Sequence, residues 1–244
     1  MTPRTATAAI VGAGDFIGAA IARRFAAEGF HVLAGRRSAE KLAPLVAAVE
    51  GAGGRITARG LDARKEDDIA AFLAEADAIA PLEVCIFNVG ANVNFPLTET
   101  TERVFRKVWE MACLAGFLTG REAARLMLPR GRGAIFFTGA TASLRGGAGF
   151  AAFAAAKAGL RMMAQSAARE LGPRNIHVAH LVIDSGVDTA WVRERIRARE
   201  GDAPLDPNRL MRPDSVADAY WRLYTQPRDA WSFEHEIRPF GEKW

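Results

Sequence analysis

The chain has 244 residues, half of them apolar, with 32 basic and 28 acidic side chains and a net charge of +4. This length suits one α/β domain over residues 1–244, and no stretch reaches the roughly 18 consecutive apolar residues of a membrane span. The basic residues are scattered without aromatic interleaving, so the charge does not indicate a nucleic-acid partner. The N-terminus lacks a secretory pattern and the two cysteines lack metal-ligand spacing, so we expect a cytoplasmic protein without a metal.

A glycine-rich turn follows the first predicted strand, residues 6–11, and precedes a predicted helix over 19–29. Glycines in this position let the backbone approach a pyrophosphate closely, and the free N–H groups of the helix start face the anion. The alternative is a tight turn with only a structural role. We predict a dinucleotide site whose contacts come from Gly12, Gly14, Phe16, Ile17 and Gly18.

The second predicted strand, residues 30–35, ends at Arg36 and Arg37. A carboxylate at this point would favour the ribose 2′-hydroxyl of NAD, whereas guanidinium groups suit the 2′-phosphate of NADP. A basic helix start at the surface is the alternative. We expect NADP, with NAD possible because Asp15 in the glycine turn would repel a phosphate.

The next segment alternates helices and strands. A helix is predicted over 38–52, with Ser38 as its candidate cap and Pro44 indicating a later start. Strands follow at 55–60 and 82–87, separated by a helix over 65–80, and a long helix is predicted over 102–128. Asp62 precedes the helix over 65–80 and is a candidate cap for it.

The stretch from Gly133 to Gly172 carries the strongest functional pattern. A short apolar strand (134–137) leads into a loop of small residues, and an alanine-rich helix (150–171) ends at Gly172-Pro173. In parallel sheets the chemistry lies at the carboxyl ends of the strands, which here means Thr138 to Lys157. Phe153 and Lys157 are four residues apart and therefore lie on one helix face.

The last third predicts a strand over 175–183, a charged helix over 190–200 and a final strand over 232–240. The helix lies within a segment of about 184–212 that we interpret as a mobile flap over the substrate. Alternation of strands and helices along the whole chain predicts an α/β fold, a Rossmann-type doubly wound sheet of seven parallel strands.

These motifs together resemble the short-chain dehydrogenase/reductase family over nearly the full length. Gly12 and Gly18 fit the family's glycine pattern, although Phe16 replaces its middle glycine. The resemblance implies a nicotinamide dinucleotide cofactor, with Asp62 at the adenine ring and a homo-oligomer, tetramer or dimer, whose last strand lies near a two-fold axis. Further family positions that imply cofactor contacts are Asn88, Gly90, Lys157, Val187 and Thr189.

The chain departs from the family at the positions that perform the proton chemistry. Phe153 stands where the family has Tyr, Ala140 where it has Ser, Cys113 where it has Asn, and Asp184 where it has Pro. These departures resemble an atypical subgroup with Phe in place of the active-site Tyr. Losing a positioned acid typically costs about 10²–10⁴-fold in rate, so another group would have to act.

Few side chains could replace the missing groups. Lys157 could supply the proton or only hold the ribose, and Thr141 and Ser143 could orient the substrate. Asp184 could act as an acid or base near the nicotinamide or form a local Asx turn. Cys113 is interpreted as a packing residue.

Two functions remain open from the sequence. The first is an atypical NADP(H)-dependent oxidoreductase acting on an apolar carbonyl or alcohol, a small molecule bound in a pocket that Phe95, Phe150, Phe153 and Trp191 could line. The second is a non-catalytic NAD(P)-binding protein, a sensor or an oligomeric partner, because the family Ser and Tyr are absent.

Overall fold

The structure is a computed structural model that describes residues 3–242. Within these residues seven parallel strands form one sheet. Their bounds are β1 Thr7–Val11, β2 His31–Arg36, β3 Arg55–Gly60, β4 Leu82–Phe87, β5 Gly133–Thr138, β6 Ile176–Ile183 and β7 Glu234–Ile237. The strand order is β3-β2-β1-β4-β5-β6-β7. The direction of winding reverses between β1 and β4, and open α/β sheets bind ligands at that switch point. The predicted seven-stranded doubly wound sheet is confirmed.

Helices cover both faces of this sheet. Their bounds are α1 Ile17–Ala27, α2 Ala43–Gly51, α3 Glu66–Ile79, α4 Glu102–Trp109, α5 Ala115–Met127, α6 Ala151–Leu171, α7 Ala190–Glu200 and α8 Pro213–Tyr224. Successive strand residues point to opposite faces of the sheet and pack into two separate hydrophobic cores. Ile10 of β1 packs on the side of α1 and α8, whereas Val11 packs with α3, α5 and α6. A strand that is buried on both faces has a nearly continuous run of apolar residues, and the central strands of this sheet have such runs.

The helix predicted over 102–128 is not continuous. A π-helical turn, Glu110–Leu114, separates α4 from α5 and contains Cys113. Wide turns of this kind insert one residue into a helix, and hydrophobic periodicity does not reveal them.

The helix predicted over 38–52 begins late, as Pro44 indicated. A short 3₁₀ turn, Ala39–Leu42, precedes α2, and Pro44 lies in the first turn of that helix. The side chain of Ser38 makes no capping hydrogen bond, so the predicted cap is wrong.

The last strand is shorter than predicted and occupies one edge of the sheet. β7 pairs with β6 in parallel, from His180 beside Glu234 to Ile183 beside Ile237.

Among residues 3–242, no helix combines the length and the apolarity needed to cross a membrane.

Candidate active site

The glycine turn after β1 has the geometry of an anion cradle. Gly12 has a φ of +94°, and a Cβ at this position would lie 2.8 Å from the carbonyl carbon and oxygen of Asn88. A Cβ on Gly18 would collide with the carbonyl oxygen of Gly12. Only glycine permits these close approaches, whereas Gly14 faces open space. The cradle therefore fits a pyrophosphate at the start of α1.

A chain of hydrogen bonds fixes the strand ends around the cradle. The Asn88 amide donates to the Gly12 carbonyl at 3.1 Å and accepts from the Thr138 hydroxyl at 3.0 Å. The Thr138 hydroxyl also lies 2.6 Å from that of Tyr220 on α8. Asn88 thus joins the ends of β1, β4 and β5, and Tyr220 is a supporting residue that no motif indicated.

A basic pocket lies at the carboxyl ends of β1, β2, β3 and β4, and we call it the adenosine pocket after the half of the cofactor predicted to bind there. It contains Arg36 and Arg37 as predicted, together with Lys41 and Arg64, which the sequence analysis missed. The Arg36 guanidinium donates to the Asp15 carboxylate at 2.6 Å. Asp15 and Arg36 therefore neutralise each other, while Arg37 is exposed at the pocket.

Asp62 lies in this pocket but does not cap α3. Its carboxylate accepts from the backbone N–H and the guanidinium of Arg64, and the latter bond is 2.6 Å long. The hydrogen bond from Arg64 lowers the pKa of Asp62 to about 2. The capping alternative is wrong, and the adenine contact stays a prediction.

Lys157 is a buried cation at the base of the cleft. Its ammonium donates to the Thr138 carbonyl at 2.8 Å, and the residue is only 2% exposed. Burial lowers the pKa of Lys157 to about 8, because desolvation disfavours the charged form. The Phe153 ring centre lies 6.0 Å from the ammonium nitrogen. The predicted juxtaposition of Phe153 and Lys157 on one helix face is confirmed.

Cys113 packs behind this site. A Cβ on Gly159 would lie 3.0 Å from its sulfur, so the π-helical turn rests directly against α6. Burial raises the pKa of the Cys113 thiol, an effect that the nearby Lys157 charge opposes. A buried thiol with a raised pKa is unreactive, which agrees with the interpretation of Cys113 as a packing residue.

The three candidate substitutes for the missing acid are differently placed. Thr141 lines the cleft, but its hydroxyl donates to the Asp184 carboxylate at 2.6 Å. Ser143 is buried outside the cleft lining, and its hydroxyl accepts from the Ala140 backbone N–H at 3.1 Å.

Asp184 is also buried behind the cleft wall, at 1% exposure, and Arg145 donates to it at 3.2 Å. Its carboxylate bonds to these distant side chains, so the local Asx turn offered as the alternative is wrong.

The loop after β6 completes the cleft. Val187 and Thr189 both line it. The Thr189 hydroxyl accepts from the Val192 backbone N–H at 3.1 Å and so caps α7. Thr189 thus also fixes the start of α7, which lies in the segment predicted to be a flap.

One continuous cleft of about 880 Å³ brings most predicted residues together. It joins the adenosine pocket through Gly12, Gly14, Asn88 and Gly90. The lining also includes Phe16, Ile17, Gly18, Ala140, Thr141, Phe153, Lys157, Val187 and Thr189.

The substrate end of this cleft is less apolar than expected. Phe150, Phe153 and Trp191 line it as predicted, whereas Phe95 borders an adjoining depression. Four arginines that the sequence analysis missed also line the cleft: Arg145, Arg195, Arg199 and Arg209.

Known proteins share this fold and its motifs. The family described as short chain dehydrogenase matches residues 6–200. A cis-4-hydroxycyclohexanecarboxylate dehydrogenase of Sinomonas cyclohexanicum is 34% identical over 221 residues, which cover 87% of this chain and 86% of that protein.

Two solved structures extend the comparison. A short-chain dehydrogenase from Rhodopseudomonas palustris is 65% identical with a TM-score of 0.85, covering 98% of this chain and 100% of that one. A metagenomic short-chain oxidoreductase in complex with NADP is 26% identical with a TM-score of 0.78, covering 97% and 98%.

The doubly wound sheet and the glycine cradle at its switch point define an α/β protein of the dinucleotide-binding type. The family match over most of the chain, together with a relative more than 30% identical along its length, identifies the family. The chain belongs to the short-chain dehydrogenase/reductase family.

Proposed function

We propose that the protein is an atypical NADP(H)-dependent oxidoreductase that interconverts a carbonyl and an alcohol on a substrate with an apolar body. The observation that carries this proposal is the cleft itself, which runs from the glycine cradle to the buried ammonium of Lys157. A non-catalytic nucleotide site would not need a substrate end, and this one is lined by Phe150 and Trp191.

The chemistry divides between the cofactor and the chain. A bound nicotinamide supplies or accepts the hydride. Gly12 and Gly18 hold its pyrophosphate, Val187 and Thr189 lie at its nicotinamide end, and Lys157 anchors the ribose. The Thr141 hydroxyl donates to Asp184, so the proposal takes Lys157 as the proton source, with a pKa of about 8 and its nitrogen 6.0 Å from the ring centre of Phe153 at the family's Tyr position.

The preference for NADP is supported by the charge of the adenosine pocket. Arg36 and Arg64 are engaged by Asp15 and Asp62, so Arg37 is the exposed guanidinium that would pair with a 2′-phosphate. The metagenomic relative in complex with NADP is a further support.

Cofactor binding is tested by quenching of tryptophan fluorescence with NADPH and NADH. We expect NADPH to bind at least about tenfold more tightly, and Arg37→Gln to remove most of this difference. The matched control is Arg55→Gln, on β3 at the opposite end of the pocket's strands, which should leave the preference intact. Equal affinities in the wild type would contradict the NADP assignment.

Turnover is tested with NADPH and a panel of ketones and aldehydes across pH. If Lys157 supplies the proton, the reduction rate falls as the pH rises through about 8, because the ammonium loses its proton. Lys157→Met should lose this dependence together with at least about a hundredfold in rate. A wild-type rate independent of pH across this range would count against Lys157 as the donor.

The second candidate function is nucleotide binding without turnover, in a sensor or an oligomeric partner. Phe153 and Ala140 at the family's Tyr and Ser positions favour it, as does the engagement of Thr141 by Asp184. It predicts tight NADPH binding and no turnover of any panel member. Robust wild-type turnover would exclude it.

A cytoplasmic location and a homo-oligomer, tetramer or dimer, remain part of the proposal. Two features support the assembly: the outer edge of β7, which is unpaired within residues 3–242, and an apolar trough between α5 and α6.

A further inference from the structure

The outer wall of the substrate cleft is strongly basic. Four arginines line it, on the loop after β5, on α7 and after α7: Arg145, Arg195, Arg199 and Arg209. The acidic lining residues are Asp15, which pairs with Arg36, and Glu242, which accepts a hydrogen bond from Ser185. An excess of positive charge therefore faces the substrate space.

Two of the four arginines are already neutralised. Arg145 pairs with Asp184, and both guanidinium nitrogens of Arg209 donate to Glu200. Arg195 and Arg199 form no ion pair within the described part of the chain, residues 3–242. They are four residues apart on α7, so both extend from the helix face that borders the cleft.

The surroundings of Arg195 orient its guanidinium for recognition. Its central carbon lies 5.3 Å from the Trp191 ring centre and 5.9 Å from that of Phe150. A guanidinium held against aromatic rings retains the N–H donors in its own plane, and this planar fork matches a carboxylate in a two-point hydrogen bond. The rings also hold the side chain in place and partly exclude water from it, which strengthens a charged hydrogen bond.

We propose that the substrate carries a carboxylate, bound by Arg195 and supported by Arg199, in addition to its reacting carbonyl or alcohol. The apolar body of the substrate then lies against Phe150, Phe153 and Trp191, and its reacting group is directed toward Lys157. This inference rests on the proposed oxidoreductase function and specifies its substrate class as keto acids and hydroxy acids with an apolar spacer. The flap helix α7 is thus a specificity element.

The test compares acids with their uncharged methyl esters. Steady-state kinetics with NADPH would use para-acetylbenzoate, levulinate and the keto form of cis-4-hydroxycyclohexanecarboxylate, each paired with its ester. We expect Arg195→Gln to raise KM for the acids at least about tenfold with little change in kcat, and Arg199→Gln to raise it less. Neither variant should change KM for the esters. Added salt should weaken the binding of the acids but not that of the esters.

The matched control is Arg197→Gln on the same helix. Arg197 pairs with Asp202 and does not line the cleft, so the same loss of charge should leave acid and ester kinetics unchanged. The affinity for NADPH should stay within about twofold in all three variants. If Arg195→Gln weakens NADPH instead of the acid, the arginine serves the cofactor and the inference is overturned.

Direct binding separates this inference from the proposed function. Calorimetric titration of the NADP⁺ complex with each acid and ester needs no turnover. Acid binding that Arg195→Gln abolishes, in a protein without turnover, supports the carboxylate site and contradicts the oxidoreductase. Turnover with equal affinity for acid and ester supports the oxidoreductase function and overturns the carboxylate site. Failure of every acid to bind also overturns the carboxylate site, whereas the oxidoreductase function is then judged by turnover of the uncharged substrates.

Discussion

At the scale of single residues, close backbone approach and buried charge define the cofactor side of the cleft. Gly12 and Gly14 belong to the same turn, yet only Gly12 combines a positive φ with contact to the Asn88 backbone. Lys157 keeps its charge inside the protein because its ammonium donates a hydrogen bond to the Thr138 carbonyl oxygen. Each of these two features gives a prediction with a clear sign.

Gly12→Ala should destabilise the folded protein, whereas Gly14→Ala should not. The Cβ added at position 12 would lie 2.8 Å from two Asn88 backbone atoms, at a φ of +94°. We expect a loss of about 2 kcal/mol or more in the free energy of unfolding, together with loss of NADPH binding. The methyl added at position 14 meets open space, so that variant should stay within about 1 kcal/mol of the wild type. Urea denaturation measures the stability of both variants, and fluorescence titration measures NADPH binding by Gly12→Ala. Equal losses of stability in the two variants would show that the close approach of Gly12 to Asn88 does not matter.

Lys157→Met should stabilise the protein without cofactor, most strongly near neutral pH. The folded-state pKa of about 8 lies below the unfolded value of about 10.4, so folding disfavours the charged form. Below about pH 8 both states carry the proton and the full penalty applies; between about 8 and 10.4 the unfolded state binds more protons, so wild-type stability rises with pH. We expect the free energy of unfolding to be about 1–3 kcal/mol higher in Lys157→Met than in the wild type at neutral pH, once the lost hydrogen bond to Thr138 is subtracted. This difference should shrink toward about pH 10.

Urea denaturation across this pH range measures the effect, with the exposed Lys107→Met as the control for removal of a lysine charge. A difference between Lys157→Met and the wild type that does not change with pH would show that Lys157 is not desolvated as the structure indicates.

At the scale of secondary-structure elements, Asp184 joins segments that are distant in sequence. Thr141 follows β5, Asp184 follows β6, and the guanidinium of Arg238 after β7 lies 3.6 Å from the Asp184 carboxylate. These contacts hold the loop after β5 against the carboxyl ends of β6 and β7. These contacts give the Asp184 carboxylate a structural role in the cleft wall, and its role as an acid or base stays a prediction.

Asp184→Ala should therefore destabilise the protein by about 2–4 kcal/mol, because it removes the buried acceptor that the Thr141 hydroxyl and the Arg238 guanidinium share. A double-mutant cycle with Thr141→Val should give a coupling energy of about 1 kcal/mol. The exposed pair Glu102 and Arg106 is the comparison, and Glu102→Ala should change stability little. Additive effects of the Asp184 and Thr141 substitutions would show that their hydrogen bond contributes nothing.

The elements themselves were largely readable from the sequence, whereas their side-chain partners were not. Apolar runs and glycine or proline boundaries located all seven strands of residues 3–242 to within three residues, because burial on both faces leaves a local pattern. The Thr141–Asp184 bond joins residues 43 apart, and no local pattern encodes such a contact. Arg195 borders the cleft and Arg197 does not because of the rotation of α7 about its own axis. Charged residues occur on all sides of that helix, so the sequence does not indicate which side faces the cleft.

At the scale of the whole molecule, two surfaces are suited to assembly. The edge of β7 leaves one side of a strand unpaired within the described chain, and such edges pair readily with another copy. An apolar trough between α5 and α6 contains Phe117, which is 41% exposed, and Met163. Large exposed apolar side chains in a contiguous trough are typical of interfaces between subunits.

Phe117→Asp and Met163→Asp should each convert the predicted tetramer or dimer into smaller species, because a carboxylate cannot be buried in an apolar interface without a partner. Leu97→Asp is the control, since Leu97 is more exposed but lies outside the trough. Sedimentation velocity at several protein concentrations measures the change. A monomeric wild type, or an assembly that neither trough variant disturbs, would contradict the assignment of this surface.

Dissociation should also reach the cleft. One face of α6 carries Phe153 and Lys157, and Met163 lies further along the same helix in the trough. An assembled neighbour would therefore cover the helix that positions the Lys157 ammonium. We expect the dissociated Met163→Asp variant to bind NADPH several-fold more weakly than Leu97→Asp, because α6 then loses packing on its open side. Unchanged NADPH affinity in a dissociated variant would show that each subunit forms its cofactor site alone.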